Sequence, residues 1–169
     1  MSSKPKETFS KLPSSGKMLA VQECNGPLKG LGIWKLPTGL ADAREDIDSA
    51  ARREVFEETG IDTDFIGIVS FQQAHNAQFG KSDMFFVCLL EPKTFVIKKQ
   101  ECEIFACEWI DLETYIGQEF FLKSPVLSRM NEIVADIVRE KSHKNFLMKH
   151  ELSHRLRPMS LYTLPSSAR

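Results

Sequence analysis

The feature that most constrains this chain is a helix with clear signals at both of its ends. Helical spacing of apolar residues predicts a helix over Ile47–Thr59. Asp46 is a suitable N-cap residue, and Gly60 stands where a helix ends in the left-handed conformation. We therefore expect a single well-defined helix between two loops in this part of the chain.

The apolar stripe of this helix also carries carboxylates. At about 100° per residue, Glu54 and Glu58 fall on the stripe that the alanines of the first turns form, and Glu57 lies on its flank. An inward carboxylate is costly unless it is paired, and carboxylates at this spacing repel one another. Arg53 supplies one guanidinium for the three. Hard oxygen ligands on one face suit Mg²⁺ or Mn²⁺, so a divalent metal site is predicted.

The same charges also allow a second interpretation, which is an ordinary solvated helix face with several ion pairs. For an isolated cluster we would prefer that interpretation, but the wider spacing favours a site. Five residues separate Gly39 from Glu45, and seven more precede Arg53. The constrained positions are Gly39, Glu45, Arg53, Glu54, Val55, Glu57, Glu58, Gly60 and Ile61. They match every fixed position of the Nudix box, so the chain resembles a Nudix hydrolase.

The resemblance extends beyond the box. The runs GIWKLPTG, FGKSDMFFVC and QECEIFACEWIDLETY resemble the plant ADP-ribose/NADH pyrophosphatase branch and its animal relatives. The resemblance implies an α/β fold, with a mixed β-sheet between helices in an α/β/α sandwich. It also implies metal-dependent hydrolysis of the diphosphate linkage in a nucleoside diphosphate derivative. ADP-ribose or NADH is the expected substrate, and AMP plus a phosphorylated moiety are the expected products.

The resemblance also implies roles for individual residues of the box. Glu54, Glu57 and Glu58 would be the metal ligands, and Glu57 would also belong to the catalytic set. Arg53 and Glu45 would orient these carboxylates. The site is therefore expected to bind metal and pyrophosphate in a loop-helix-loop unit.

The resemblance also implies a further metal ligand or base, which many relatives supply from a loop glutamate shortly before the tryptophan-containing strand. Glu103 is the preferred candidate there, and Glu101 is the alternative. Metal ions can neutralise adjacent phosphates and lower the pKa of an attacking water, and a carboxylate that is not fully ligated can accept its proton. Glu58 and Glu103 are both candidates for this base, and the sequence leaves the choice between them open.

Two loops are predicted to contact the substrate. Backbone amides at Thr38 and Gly39 can approach phosphate, whereas Gly60 is explained by the helix cap. The second loop lies within Phe71–Asp83, and loops of this kind often determine specificity. An aromatic ring there can stack on adenine and a basic side chain can meet phosphate, although each is more often packed or solvated. The candidates are Phe71, His75, Phe79 and Lys81.

Other functions remain open at this stage. One is a non-catalytic Nudix module that binds a nucleotide or regulates another protein, although the intact glutamate set argues against it. Another is a Nudix enzyme for a dinucleoside polyphosphate, coenzyme A or a damaged nucleotide. Relatives often form homodimers, so a homodimer is one state to test.

Composition excludes several partners. The formal net charge of -1 argues against binding to nucleic acid or to an anionic membrane. The apolar runs are far shorter than the roughly 20 residues that a membrane-spanning helix needs. Four cysteines without CxxC pairing are interpreted as reduced core thiols. A cytoplasmic location is the default expectation.

Three regions are predicted along the chain. Residues 1–16 form a flexible N-terminal segment, 17–141 form the Nudix domain, and 142–169 form a basic C-terminal tail that is either loose or a short docking segment. A helix with an apolar stripe that packs in the core is expected after Pro125, and the stripe consists of Val126, Met130, Ile133, Val134, Ile137 and Val138. Strands are predicted at Met18–Gln22, Ile33–Leu36, Phe65–Phe71, Met84–Leu90 and Cys107–Ile110.

Relatives normally have one more apolar strand before the first of these. Residues 7–16, ETFSKLPSSG, have few large apolar side chains, and Pro13 disfavours a central strand. Either the sheet lacks its usual first strand, or residues 1–16 replace it by an unusual route. We favour the first alternative.

Overall fold

The computed structural model describes residues 8–10, 16–75, 82–140, 147–154 and 157–164. Two of the predicted substrate contacts, Phe79 and Lys81, lie outside the described residues. In chain order the elements are β1 Thr8–Ser10, β2 Lys17–Glu23, α1 Ile47–Thr59, β3 Thr63–Ala74, β4 Asp83–Pro92, β5 Ile104–Asp111, α2 Leu112–Ile116, α3 Glu119–Leu122, α4 Pro125–Glu140, β6 Met148–His154 and β7 Arg157–Thr163.

The strands form three hydrogen-bonded groups. In the first, β1 is parallel to β4, and β4 is antiparallel to β3. The second pairs β2 with β5 in antiparallel register, and the third pairs β6 with β7. Because β1 also contacts β2, it stands between the first two groups. The strand directions are therefore mixed, as predicted.

Helices cover both faces of these strands. Side chains alternate along a strand, so Met18 and Ala20 of β2 join the core beneath α4, whereas Leu19 joins the core beneath α1. In β4, Val87 and Leu89 face the first core and Cys88 and Leu90 face the second. This arrangement confirms the α/β/α sandwich.

Helix α1 has the predicted bounds. Gly60 adopts a left-handed φ of 72°, and its N–H donates to the Phe56 carbonyl at 2.8 Å. A Cβ at Gly60 would lie 2.7 Å from that of Lys98, which adds a steric reason for glycine. Asp46 occupies the N-cap position with extended backbone angles, but its side chain makes no capping hydrogen bond. The Asp46 carboxylate instead accepts hydrogen bonds from Lys149 and Ser160 in the C-terminal segment.

Helix α4 confirms the second predicted helix. Met130, Val134, Ile137 and Val138 of the predicted stripe are buried in the core. Val126, in the first turn of α4, was also expected on this stripe but is 50% exposed, whereas its neighbour Leu127 packs against the core.

The N-terminal segment does supply a strand, so the favoured expectation that the sheet lacks one is wrong for Thr8–Ser10. These three residues pair in parallel register with Cys88–Leu90 of β4. Backbone hydrogen bonds need no apolar side chains, so the low apolar content of this segment was a poor guide to pairing. Pro13 follows the strand and interrupts no part of it.

The predicted strand Ile33–Leu36 is also wrong as a full strand. Only Lys35 forms a bridge, with Val21, through two backbone hydrogen bonds of 2.9 Å. Pro37 has no N–H to continue the pairing, and Gly32 has a left-handed φ of 66°. The segment therefore crosses β2 at one point and then turns toward α1.

Part of the predicted basic tail is a β-hairpin made by β6 and β7. Leu147, just before β6, exchanges two backbone hydrogen bonds of 2.9 Å with Ile68 on β3. On β7, Tyr162 packs edge-on against Phe65, with 6.4 Å between ring centroids. The tail was expected to be either loose or a short docking segment. The described residues of the hairpin dock on β3, which agrees with the second alternative.

The cysteines are free, as expected, but they are not all in the core. Cys88 is buried, whereas Cys102 is exposed because it lies in the turn that precedes β5. Within the described ranges, no helix combines the length and apolar character that a membrane span requires.

Candidate active site

Arg53 connects the loop before α1 to the carboxylates on the helix. Its guanidinium donates to both oxygens of Glu45, from Nε at 2.9 Å and from Nη2 at 2.8 Å. Nη1 donates to Glu54 at 2.8 Å and to Glu57 at 3.2 Å, and Nη2 also reaches the Leu40 carbonyl at 2.9 Å. The planar fork of arginine suits such a set of acceptors. Arg53 thus joins Glu45, Glu54 and Glu57 in one hydrogen-bonded network, and its role in orienting a catalytic site stays a prediction.

These contacts shift the ionisation of the groups involved. The hydrogen bonds from Arg53 lower the pKa of Glu45, and the hydrogen bond to Glu45 is the main reason that the pKa of Arg53 is raised. Burial raises the pKa of Glu54 even though Arg53 opposes the shift. Arg53 therefore compensates only part of the acidic charge on α1.

Glu58 is the most buried of the three helix carboxylates, with 6% of the residue exposed. Burial raises its pKa to about 8, although the Lys35 ammonium and the Thr38 N–H, 3.2 Å from Oε2, favour the charged form. Glu57 is on the flank, as predicted, with 53% of its side chain exposed. Burial thus disfavours the charged form of Glu58 more than the nearby ammonium and amide favour it.

The loop before α1 lies directly against the carboxylates. The Leu40 N–H donates to Oε1 of Glu54 at 3.0 Å. A Cβ at Gly39 would lie 1.7 Å from Cδ of Glu54, so a larger residue would displace either the loop or the carboxylate. The amides at Thr38 and Leu40 contact carboxylates here, and the proposed approach of the Thr38 and Gly39 backbone to phosphate stays a prediction.

A cavity of about 390 Å³ brings several candidates together. Thr38, Glu58 and Glu103 all line it, and they come from the loop, from α1 and from the turn before β5. Its complete lining is Glu23, Asn25, Gly26, Pro27, Thr38, Glu58, Glu103 and Ile104. Glu101 does not line this cavity, and its carboxylate accepts instead from Lys99 Nζ at 2.5 Å. The geometry supports Glu103 as the loop glutamate.

Two residues of this site had not been predicted. Glu23, at the end of β2, lines the cavity and accepts a hydrogen bond from Lys35 Nζ. The same ammonium donates to Oγ1 of Thr38 at 2.6 Å, and Lys35 is only 9% exposed. A lysine between Trp34 and Leu36 in an apolar run was the available signal. Lys35 places one buried positive charge close to Glu58.

The helix carboxylates have the chemistry of a divalent-cation site. They are oxygen donors on one face, and hydrogen bonds from the protein reach only Oε1 of Glu54 and only Oε2 of Glu58 in the part of the chain that the structure describes. As the side chains stand, no three His, Cys, Asp or Glu residues among those described are grouped closely enough to hold an ion. The donor set is suitable, and the metal site itself stays a prediction.

Phe71 and His75, the two described candidates for substrate contact near the predicted substrate loop, lie elsewhere. Phe71 is 58% exposed on β3 and packs beside Phe86, with ring centroids 6.0 Å apart. His75 lies at the end of β3, and its Nδ1 is 2.9 Å from Oγ of Ser82. Neither residue lines the cavity with Glu58 and Glu103. Their proposed substrate contacts stay predictions.

Comparisons with known proteins agree with this geometry. Residues 10–136 match the family model described as the NUDIX domain. Nudix hydrolase 2 of Arabidopsis thaliana is 49% identical over 117 residues, covering 69% of this chain and 42% of the relative. Nucleoside diphosphate-linked moiety X motif 6 of Mus musculus is 40% identical over 141 residues, covering 82% of this chain and 44% of the relative. The chain thus spans less than half the length of these curated relatives.

A solved structure supports the fold. The NUDIX domain of Shewanella oneidensis NrtR, complexed with ADP ribose, superposes with a TM-score of 0.56 at 19% identity. The match covers 80% of this chain and 83% of that one. The family model covers most of the chain, and membership of that family accounts for both the Arg53 network and the acidic cavity. This chain belongs to the Nudix hydrolase family.

Proposed function

We propose that this protein hydrolyses the diphosphate linkage of a nucleoside diphosphate derivative, yielding AMP and a phosphorylated moiety. The observation that carries the proposal is the convergence of Glu58 and Glu103 on one cavity beside the Arg53 network. The cavity has the acidic lining that a metal-bound diphosphate requires. A purely structural helix face would not bring carboxylates from α1 and from the turn before β5 to one cavity.

Glu54, Glu57 and Glu58 would hold Mg²⁺ or Mn²⁺. When bound, the ion would neutralise phosphate charge and lower the pKa of a water molecule. Arg53 holds Glu54 and Glu57 in fixed positions through Nη1. Because burial raises the pKa of Glu58 and a cation needs its charged form, binding of a cation there should release protons.

The base that accepts the proton of water is either Glu58 or Glu103. Glu103 is exposed in the turn before β5, and no hydrogen bond to its carboxylate is present among the described residues. A metal-ligating Glu58 has less freedom to accept a proton than a carboxylate outside the ligand set. We therefore propose Glu103 as the base and Glu58 as a metal ligand.

ADP-ribose or NADH is the proposed substrate. The sequence runs around the box resemble the plant ADP-ribose/NADH pyrophosphatase branch, and the superposed Shewanella oneidensis domain is complexed with ADP ribose. The candidates for substrate contact remain the Thr38–Gly39 backbone, Phe71, His75, Phe79 and Lys81.

A panel assay tests the proposal. Purified protein is incubated with ADP-ribose, NADH, a dinucleoside polyphosphate, coenzyme A and 8-oxo-dGTP, each with Mg²⁺, Mn²⁺ or EDTA. We expect AMP from ADP-ribose or NADH in the presence of metal only. Turnover of another member would assign a different Nudix substrate. Absence of turnover with all five by folded, metal-loaded protein would contradict the enzymatic proposal and favour a non-catalytic binding module.

Two further expectations belong to this proposal. A homodimer is tested by light scattering coupled to size-exclusion chromatography, and a cytoplasmic location is tested by imaging a tagged protein in cells. Neither outcome alters the chemistry proposed for the cavity.

A further inference from the structure

We propose that the nucleotide base binds in a second cavity next to the carboxylate cavity, where it stacks on Phe105. This inference rests on the proposed function, because it assigns a binding site to one part of the same substrate. It names a position that differs from Phe71 and from the loop after β3.

The second cavity has a volume of about 490 Å³. Its walls come from the end of β2, the loop that follows it and the start of β5, and are formed by Gln22, Glu23, Cys24, Leu28, Lys29, Gly30, Gly32 and Phe105. Binding sites for small ligands commonly have volumes of about 300–1,000 Å³. The space therefore suits a nucleoside rather than an ion or a single phosphate.

Glu23 lines both cavities, so the two lie next to each other at the end of β2. In this proposal a ligand that places its diphosphate near Glu58 and Glu103 extends past Glu23 into the second cavity. The two cavities also differ in chemistry, because Leu28 and Phe105 supply apolar surface to the second and carboxylates dominate the first. A molecule that joins a charged diphosphate to a planar base likewise has one charged part and one part that favours apolar contacts.

Phe105 is suited to stacking by its position. It is 68% exposed, whereas its neighbour Ile104 on β5 is 1% exposed. An aromatic ring left at the surface contributes little to the core and is available to a ligand. Every nucleobase has a flat face that such a ring can contact.

The opposite wall is a loop held at both ends. Gln22 Nε2 donates to the Gly32 carbonyl at 3.1 Å, and the Cys24 N–H donates to the Glu103 carbonyl at 2.7 Å. Gly30 and Gly32 have left-handed φ values of 73° and 66°, and a Cβ at either position would meet no atom within 4 Å. The glycines thus leave open space, and the loop is attached directly to the residue proposed as the base.

The first test compares ligands with and without a base. AMP and ribose 5-phosphate are titrated by calorimetry into the parent and into Phe105→Ala, with Mg²⁺ present. Loss of stacking should weaken AMP binding about 5- to 150-fold and leave ribose 5-phosphate unchanged. Leu122→Ala is the control, because it removes an apolar side chain of similar exposure, 64%, that lines neither cavity.

The second test uses Phe105→Trp, which retains an aromatic ring and adds a fluorophore. AMP should quench the new fluorescence and retain near-parental affinity, and ribose 5-phosphate should do neither. Equal AMP affinity in the parent and in Phe105→Ala would overturn the inference. Weaker AMP binding in Phe71→Ala, with no change in Phe105→Ala, would overturn it and place the base at Phe71.

These outcomes separate this inference from the proposed function. If the panel assay shows no hydrolysis but Phe105→Ala still loses AMP binding, the base site stands and the enzymatic proposal fails. If the parent hydrolyses ADP-ribose and Phe105→Ala retains the parental KM and AMP affinity, the enzymatic proposal stands and the base site is wrong. Failure of the parent to bind AMP at millimolar concentration would also overturn the base site.

Discussion

Glu58→Gln should stabilise the protein while it abolishes most of the activity. Glutamine has nearly the same shape as glutamate, and its amide oxygen can still accept the hydrogen bond from the Thr38 N–H. The variant has no ionisable group at this position. It therefore separates the energetic cost of a buried carboxylate from its role in the reaction, for which we expect turnover to fall by several orders of magnitude.

The size of the stability effect follows from the pKa of Glu58. Burial raises this pKa from 4.5 to about 8, so the folded state keeps its proton over a range in which the unfolded chain has lost it. Relative to Glu58→Gln, the free energy of unfolding of the parent should therefore decrease as pH rises from about 4.5 to about 8. At about 1.4 kcal/mol per pKa unit, the decrease is at most about 5 kcal/mol.

Urea denaturation in EDTA, measured from pH 4.5 to pH 8.5, tests this reasoning. Glu58→Gln should exceed the parent in stability at pH 8.5, and the difference should shrink toward pH 4.5. Glu57→Gln is the matched control, because it makes the same substitution on the same helix at a side chain that is 53% exposed. An identical pH slope in the parent and in Glu58→Gln would refute the argument that a buried, uncompensated carboxyl exists at this position.

Three other predictions concern metal, the hairpin and the first strand. Mg²⁺ or Mn²⁺ should raise the melting temperature of the parent but not of a variant with all three α1 glutamates changed to glutamine, and an equal shift in both would contradict the metal site. Lys149→Met should lower the free energy of unfolding, measured by urea denaturation, by about 1–3 kcal/mol, because Lys149 Nζ donates to Asp46 at 3.0 Å and to Asp48 at 2.7 Å. An unchanged free energy of unfolding would mean that these contacts do not stabilise the fold. Deletion of residues 2–12 removes β1 and should lower the melting temperature by several degrees, whereas an unchanged value would show that β1 is dispensable.

Helix α1 was predictable because its signals are local. Asp46 and Gly60 define its bounds, and the helical period alone places Glu58 inward and Glu57 on the flank. Arg53 and its partners are likewise close in sequence, so the resemblance and the spacing were sufficient to identify them. The actual role of Asp46 was not predictable, since its carboxylate accepts from Lys149 and Ser160, more than a hundred residues later.

Features that depend on partners far apart in the sequence were not predicted, because local sequence signals do not specify such partners. The hairpin β6–β7 docks on β3 and on the start of α1, and nothing local in a basic segment specifies those partners. The Lys35–Glu23 pair joins two segments that cross at a single bridge. The strand Thr8–Ser10 is stabilised by β4, so its own composition did not predict it.

The most direct test of the central claim is the rate at which AMP forms from ADP-ribose with saturating Mg²⁺. The rate should be measured for the parent, for Glu58→Gln and for Glu103→Gln, each shown to be folded by circular dichroism. The account predicts AMP and ribose 5-phosphate in equal amounts from the parent, no product in EDTA, and a rate reduced by at least about a hundredfold in both variants. Parental rates in both variants would contradict it, because the cavity that Glu58 and Glu103 share would then have no part in the chemistry.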